Sequence, residues 1–298
     1  RLMDLNDVKK LGADLHLKAK TYNMDFIASL AGSPALRIPK GISVDGKLIA
    51  RGTKYDVDVT AAEGGGKLSL SAFMNTDGMS YKAKAEAERL DISHFMPSLE
   101  FKPFSGSIVM SGKGTDFRSS HTRLNVNAIV SDFVYSVYNL SGITFNAVID
   151  KGKARATLDS HNQLLDGSVA LNAAMSHKSM RGNLSCDIKN IDFYRLRVFD
   201  VPAEMSLKAD MDFASNFKKN HSVSGSIRDI ALTDSSRVYT PEDVLIDAFT
   251  RTDSTSAVVR SGDFDMMVRA SGGYEKIMRS GQKLMAEVAR QLKERYID

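Results

Sequence analysis

The stretch Tyr81-Lys82-Ala83-Lys84-Ala85-Glu86-Ala87-Glu88 places an apolar side chain at every odd position and a charge at every even one. Successive side chains of a β-strand point to opposite faces, so this period of two describes a strand with one dry face and one wet face. The same split sets Leu124, Val126 and Ala128 against Arg123, Asn125 and Asn127, and sets Met205, Leu207, Ala209 and Met211 against Glu204, Ser206, Lys208 and Asp210. It recurs at Ile143, Phe145 and Ala147, at Val169, Leu171, Ala173 and Met175, at Leu184 and Ile188, and at Phe264, Met266 and Val268. Shorter runs at Leu15 and Leu17, Tyr55, Val57 and Val59, and Leu68 and Leu70 follow the same rule. At the usual strand length the chain holds about sixteen such strands.

Turn residues such as Thr76-Asp77-Gly78, Lys151-Gly152-Lys153 and Asp166-Gly167 stand between the strands and leave no room for helical crossovers. Neighbours are therefore expected to pair antiparallel in a meander. Longer connections are expected where proline and glycine gather, at 32–41, 97–103, 200–203 and 234–241.

Sliding the chain on itself reveals a repeat of 101 residues. Positions 68–95 align without a gap on 169–196, bringing Met74 onto Met175, Met79 onto Met180, and Leu90-Asp91 onto Ile191-Asp192. Farther on, Asp116-Phe117 falls near Asp212-Phe213 and Tyr138 on Tyr239, and Met3-Asp4-Leu5 has the look of a degenerate third copy. Asp91 and Asp192 are each expected to cap a short turn or helix. The organisation read from this is a β segment over 1–66, repeat units over 67–167 and 168–272, and a separate segment over 273–298. Within the last, Ile277, Leu284, Met285, Val288 and Leu292 fall on one face of an expected amphipathic helix at 274–297, with a basic opposite face.

The composition, 43% hydrophobic and 26% charged, is that of a folded chain, and a net charge of +4 spread along 298 residues is too dilute for a nucleic-acid stripe. No apolar run approaches the 18 residues of a membrane span, and no leader precedes Arg1, so the chain is expected to be one segment of a longer polypeptide. The single cysteine, Cys186, alternates with Leu184 and Ile188 and is expected to be a small core residue.

Signs of chemistry are few. The six histidines are dispersed without metal-ligand spacing, so no metal is expected. Gly64-Gly65-Gly66 leads into a strand and reads as a turn rather than a phosphate cradle. Ser215 and Lys218 have the spacing of a nucleophile and its base on a helix, but they lie in the polar segment 215–220 between strands. No catalytic residue and no cofactor is expected.

A sheet this long must hide its apolar face, and without covering helices it must either fold onto itself with a filled core or remain an open trough. An open trough implies an apolar occupant. Acyl chains suit it, because exposing about sixteen carbons to water costs on the order of 12 kcal/mol at about 0.8 kcal/mol per methylene. The candidate lining is Tyr81, Ala83, Ala85, Leu124, Val126, Ala128, Ile143, Phe145, Ala147, Val169, Leu171, Ala173, Met175, Leu184, Ile188, Met205, Leu207, Ala209, Met211, Phe264, Met266 and Val268.

The tandem alternating strands, the element Leu90-Asp91-Ile92-Ser93-His94-Phe95, and the elements Leu140-Ser141-Gly142-Ile143 and Ser261-Gly262-Asp263-Phe264-Asp265 together resemble the TamB and AsmA-like family. The resemblance implies an all-β, U-shaped antiparallel sheet, a β-taco with a hydrophobic groove. It also implies a periplasmic location within an inner-membrane-anchored protein, and phospholipid acyl chains as cargo moving toward the outer membrane. An outer-membrane β-barrel similar to TamA is the implied partner of the full-length protein, and no enzyme activity is implied. Two other classes fit the same alternation: an assembly factor that pairs outer-membrane strands with its sheet edge, and a structural or adhesive β protein with a closed core.

Overall fold

The computed structural model describes residues 2–3, 12–22, 39–234 and 237–273, and these form an all-β fold. The strands are β1 (Leu2–Met3), β2 (Gly12–Lys20), β3 (Ser43–Arg51), β4 (Lys54–Glu63), β5 (Gly66–Asn75), β6 (Ser80–Leu90), β7 (Phe104–Lys113), β8 (Arg123–Asp132), β9 (Val134–Tyr135) and β10 (Tyr138–Asn139). They continue as β11 (Ile143–Asp150), β12 (Lys153–His161), β13 (Leu165–Met175), β14 (Met180–Asp192), β15 (Ala203–Ser215), β16 (His221–Asp234), β17 (Arg237–Tyr239), β18 (Val244–Thr250), β19 (Ser254–Ser261) and β20 (Phe264–Ser271). Sixteen of them are seven residues or longer.

Every long strand pairs antiparallel with the long strand before it and the one after it, from β2 through β20. The hairpin of β9 and β10 forms a small separate sheet, and β17 is a flap on the end of β16. Among the described residues β20 pairs only with β19, so the long sheet is open rather than closed into a barrel. The expected helix at 274–297 lies outside the described residues.

Local chemistry explains the meander. At the β11–β12 turn Lys151 (φ 52°) and Gly152 (φ 73°) both take the left-handed conformation, the pattern of the two-residue hairpin turn whose twist matches that of paired strands. Asp166-Gly167, expected as a turn, lies instead inside β13 at a register shift, and the turn is made by 162–164. Gly167 is there for close approach: a Cβ on it would stand 2.6 Å from the Asp187 carbonyl oxygen. Of the expected long connections, 97–103 joins β6 to β7, 200–203 ends the β14–β15 link, and 234–241 contains β17. Most of 32–41 lies outside the described residues.

Two of the sheet's irregularities recur at the spacing of the repeat. The β6–β7 ladder shifts register between Ala87 and Leu90, and the β14–β15 ladder shifts between Ile188 and Ile191, the same two positions 101 residues later. Each bulge leads to an aspartate that starts a turn. Asp91 accepts from the Ser93 amide at 3.1 Å and Asp192 from the Arg195 amide at 2.8 Å, the capping role expected of both. Three residues on, each meets a basic side chain: His94 at 3.5 Å from Asp91, Arg195 at 2.9 Å from Asp192. Tyr138 and Tyr239 both lie in short strands, whereas Asp116-Phe117 sits in a turn and Asp212-Phe213 in β15. The sheet runs on without a break through 66–67 and 167–168, and the Asp4-Leu5 part of the degenerate copy lies outside the described residues.

Burial departs from that of a two-layer protein. Among the described residues only Ala13, Ile42, Ala50, Ala87, Leu164, Ala173, Ile188 and Ala203 are buried hydrophobics, most of them small. Packing concentrates instead in rim clusters, where Phe101 and Phe104 contact Phe133 and where Phe193 contacts Phe199. Cys186, expected in a core, is half-buried between Val169 and Ala209 on the sheet surface.

Candidate functional site

Residues directly opposite in an antiparallel ladder share a face, so the registers assign every side chain. All twenty-two candidate lining residues fall on one face of the long sheet. Its central row runs Leu15, Leu48, Val57, Ala72, Ala83, Met110, Val126, Ala147, Ala156, Leu171, Leu184, Met211, Gly225, Ile246, Val259 and Met266, one residue per strand. Sixteen strands are crossed without one polar side chain. At about 4.8 Å per strand the row is on the order of 70 Å long.

This apolar face is open to solvent. Leu17 is 61% exposed, Leu184 38% and Phe264 57%, and most other members are half-buried. β7 and β12 contribute Ile108, Met110, Ala156 and Leu158, which the candidate lining omits. In β7 the run Ile108-Val109-Met110 and the flanking glycines blur the alternation, whereas in β12 the period is plain. Gly112 is covered by a side chain from the preceding strand, β6: a Cβ there would meet the Tyr81 hydroxyl at 2.5 Å.

The opposite face is wet, with scattered apolar positions such as Phe73, Val109 and Val148. Its carboxylates serve local pairs. Hydrogen bonds from His16 to Asp45, from Lys84 to Glu86 and from Lys208 to Asp229 hold those acids below the ordinary carboxylate range, and the Asp229 pair holds the Lys208 ammonium above its own. All are solvent-exposed, and exposed pairs of this kind contribute little to stability.

One carboxylate differs. Glu63 ends β4 at the margin of the apolar face and is only 8% exposed. Its Oε1 lies 2.7 Å from His94 Nδ1, while its Oε2 is buried without a hydrogen-bond partner. The position 101 residues later is Leu164, also buried, but it lies in the β12–β13 turn rather than at the end of a strand.

The two rims where strands turn are unlike. On the short-turn rim, the turns and their flanking residues carry, among the described residues, Arg51, Lys54, Lys113, Arg118, Arg123, Lys151, Lys153, Lys178, Lys218, Lys219 and Arg251 against Asp77, Asp116, Asp150 and Asp253. Asp150 is bound by Arg123 at 3.1 Å. Asp116 accepts from the Arg118 amide and from His177 at 2.7 Å, and both lower its pKa. Among the described residues the long-loop rim carries Lys20, Lys40, Lys102, Arg195, Arg197 and Arg237 against ten carboxylates, among them Asp91, Asp192, Asp200, Asp234 and Glu242. It also holds the exposed side chains of Tyr194, Val198, Phe199, Val201, Val238 and Tyr239.

Among the described residues no cluster of three or more His, Cys, Asp or Glu side chains could hold a metal ion. Ser215 Oγ lies 2.9 Å from His221 Nδ1 but also accepts the Phe217 amide, and the Lys218 amide is bonded to Asn216, so these residues close the β15–β16 turn. Burial, and then the Asp187 charge, push the Cys186 thiol up, which disfavours the nucleophilic thiolate. No helix of the described residues is long and apolar enough to cross a membrane.

Compared with known proteins, the chain matches no family model, no curated protein and no solved structure.

Proposed function

We propose that this chain is a segment of a periplasmic bridge, of the TamB and AsmA-like kind, that shields phospholipid acyl chains on its apolar face during transport between two membranes. The observation that carries this reading is the uncharged central row, sixteen strands wide and open to water. An apolar area of this extent far exceeds the few hundred square ångströms that soluble proteins ordinarily leave bare. Acyl chains satisfy it because the wall is continuous. A lipid displaced by one strand exchanges one aliphatic contact for another, so no site along the path holds it much more tightly than the next. In this reading the sheet curves along its length so that the two rims flank a groove, the β-taco. No residue acts as a catalyst, and the full-length protein supplies the membrane anchor and an outer-membrane barrel partner.

The reading is tested by native mass spectrometry with a photocrosslinker placed at Val169 or Met266 on the apolar face, or at Asn172 on the polar face as control. Lipid adducts are expected from the first two positions and not from the third. No adducts from any position, or equal adducts from all three, would count against it.

A second reading rests on the sheet edge. β20 is unpaired on its outer side among the described residues, and Phe264, Met266, Met267 and Val268 on it are all exposed, the condition in which an edge accepts another strand. An assembly factor for outer-membrane strands would use that edge. The apolar row is not needed for strand addition, and for that reason the lipid reading is preferred.

A further inference from the structure

The two rims flank the same apolar face but differ in charge, and a phospholipid differs along its own length in the same way. Its chains require an apolar wall, while its phosphate must stay in water beside whatever lies at the edge of that wall. We infer that the short-turn rim is the track for lipid head groups, and that it makes the chain select anionic phospholipids over zwitterionic ones with identical acyl chains. This inference rests on the reading of the apolar face as an acyl-chain wall and adds to it the class of lipid carried.

Three observations support it. First, among the described residues the basic excess is confined to one rim: eleven Lys and Arg face four Asp there, while the other rim has more acids than bases. Second, most of the bases are unspent, Arg118 and Arg123 being the two that meet a carboxylate, Asp116 and Asp150. Lys54, Lys113, Lys151, Lys153, Lys178 and Lys218 are exposed, and none has a carboxylate within ion-pair distance among the described residues. Third, they are distributed as a track rather than a patch. Successive turns on one rim recur every second strand, about 9.6 Å apart at 4.8 Å per strand, and basic residues occur at the β3–β4, β7–β8, β11–β12, β13–β14, β15–β16 and β18–β19 turns. That spacing is slightly longer than the screening length of physiological salt, about 8 Å, so a phosphate leaving one turn still feels a weakened attraction from the next; only the β5–β6 turn, which carries Asp77 and no base, interrupts the series.

The long-loop rim supplies the contrast. Its acids repel an anionic head group, and Arg195, one of its few bases, is already bound by Asp192 at 2.9 Å.

The test loads the full chain from equimolar phosphatidylglycerol and phosphatidylcholine of matched acyl composition, and reads bound lipid by native mass spectrometry. The wild type is expected to enrich phosphatidylglycerol, with the enrichment shrinking as salt is raised toward 1 M. Lys54→Glu, Lys151→Glu and Lys178→Glu together should lower the enrichment by about tenfold and leave the total lipid bound nearly unchanged, since exposed ion pairs of this kind are modest singly and add across separate sites. Arg197→Glu on the other rim should leave it as it was. Equal binding of the two lipids by the wild type, or an enrichment untouched by the triple reversal, overturns the inference while leaving the acyl-chain reading in place. No lipid of either kind bound by the wild type removes both.

Discussion

Leu171→Asp and Met211→Asp are expected to leave the sheet folded and to lower its lipid load by about tenfold or more, because each puts a charge into the middle of the apolar row. Both residues are half-buried on an open face, so the new carboxylate keeps much of its hydration. The cost to folding is then the lost cross-strand packing, on the order of 1 kcal/mol. To an acyl chain moving along the row, the same carboxylate presents bound water that must be displaced or skirted. In a closed sandwich the outcome would reverse: an unpaired carboxylate in a packed interior costs several kcal/mol, and the variants would unfold. Circular dichroism together with bound-lipid stoichiometry separates the two. Unfolded variants would contradict an open face, and folded variants with full lipid load would contradict its role.

The second large effect concerns the backbone. Gly225, on the central row in β16, has no room for a methyl group: a Cβ would stand 2.0 Å from the Asp210 carbonyl oxygen and 2.7 Å from the Met211 sulfur. The carbonyl belongs to the neighbouring ladder and cannot yield without breaking it. Gly225→Ala is therefore expected to cost about 3 kcal/mol, at the upper end of overpacking effects. Since each long strand pairs only with its neighbours, the damage should stay local, as in other quasi-one-dimensional folds. Hydrogen exchange should rise in β15, β16 and β18 and stay unchanged in β4, β5 and β6. Gly46→Ala serves as the control, because a Cβ there meets only the Val59 side chain at an ordinary 3.7 Å. Uniform loss of protection across the sheet would show a cooperative core instead.

The sequence made the strands and their faces legible because alternation is a local signal. Lys82, Lys84, Glu86 and Glu88 force the opposite residues of β6 to one side whatever the rest of the chain does, and once pairing is consecutive the register carries that side from strand to strand. Asp91 and Asp192 were readable as caps for the same reason, each acting on an amide two or three residues away. Asp166-Gly167 misled because a glycine that admits a neighbouring backbone looks the same in sequence as one that turns. The face that Cys186 occupies was readable from its alternation with Leu184 and Ile188, but its burial was not. Alternation is identical whether the apolar face meets a second sheet or open water, so a half-buried thiol and a core thiol share one pattern. The charge difference between the rims was hidden as well, since it appears only when turns separated by a whole hairpin are assigned to the same edge.

Cys186 provides the most direct test of the central claim that the apolar face is open and takes acyl chains. It is the only cysteine, and it sits on that face between Val169 and Ala209. Maleimide labelling would be followed in the folded chain, first stripped of lipid and then loaded with phospholipid. The stripped protein is expected to label without unfolding, and loading with phospholipid to slow the reaction by about tenfold or more. Labelling that waits for unfolding, or a rate indifferent to lipid, would contradict the claim.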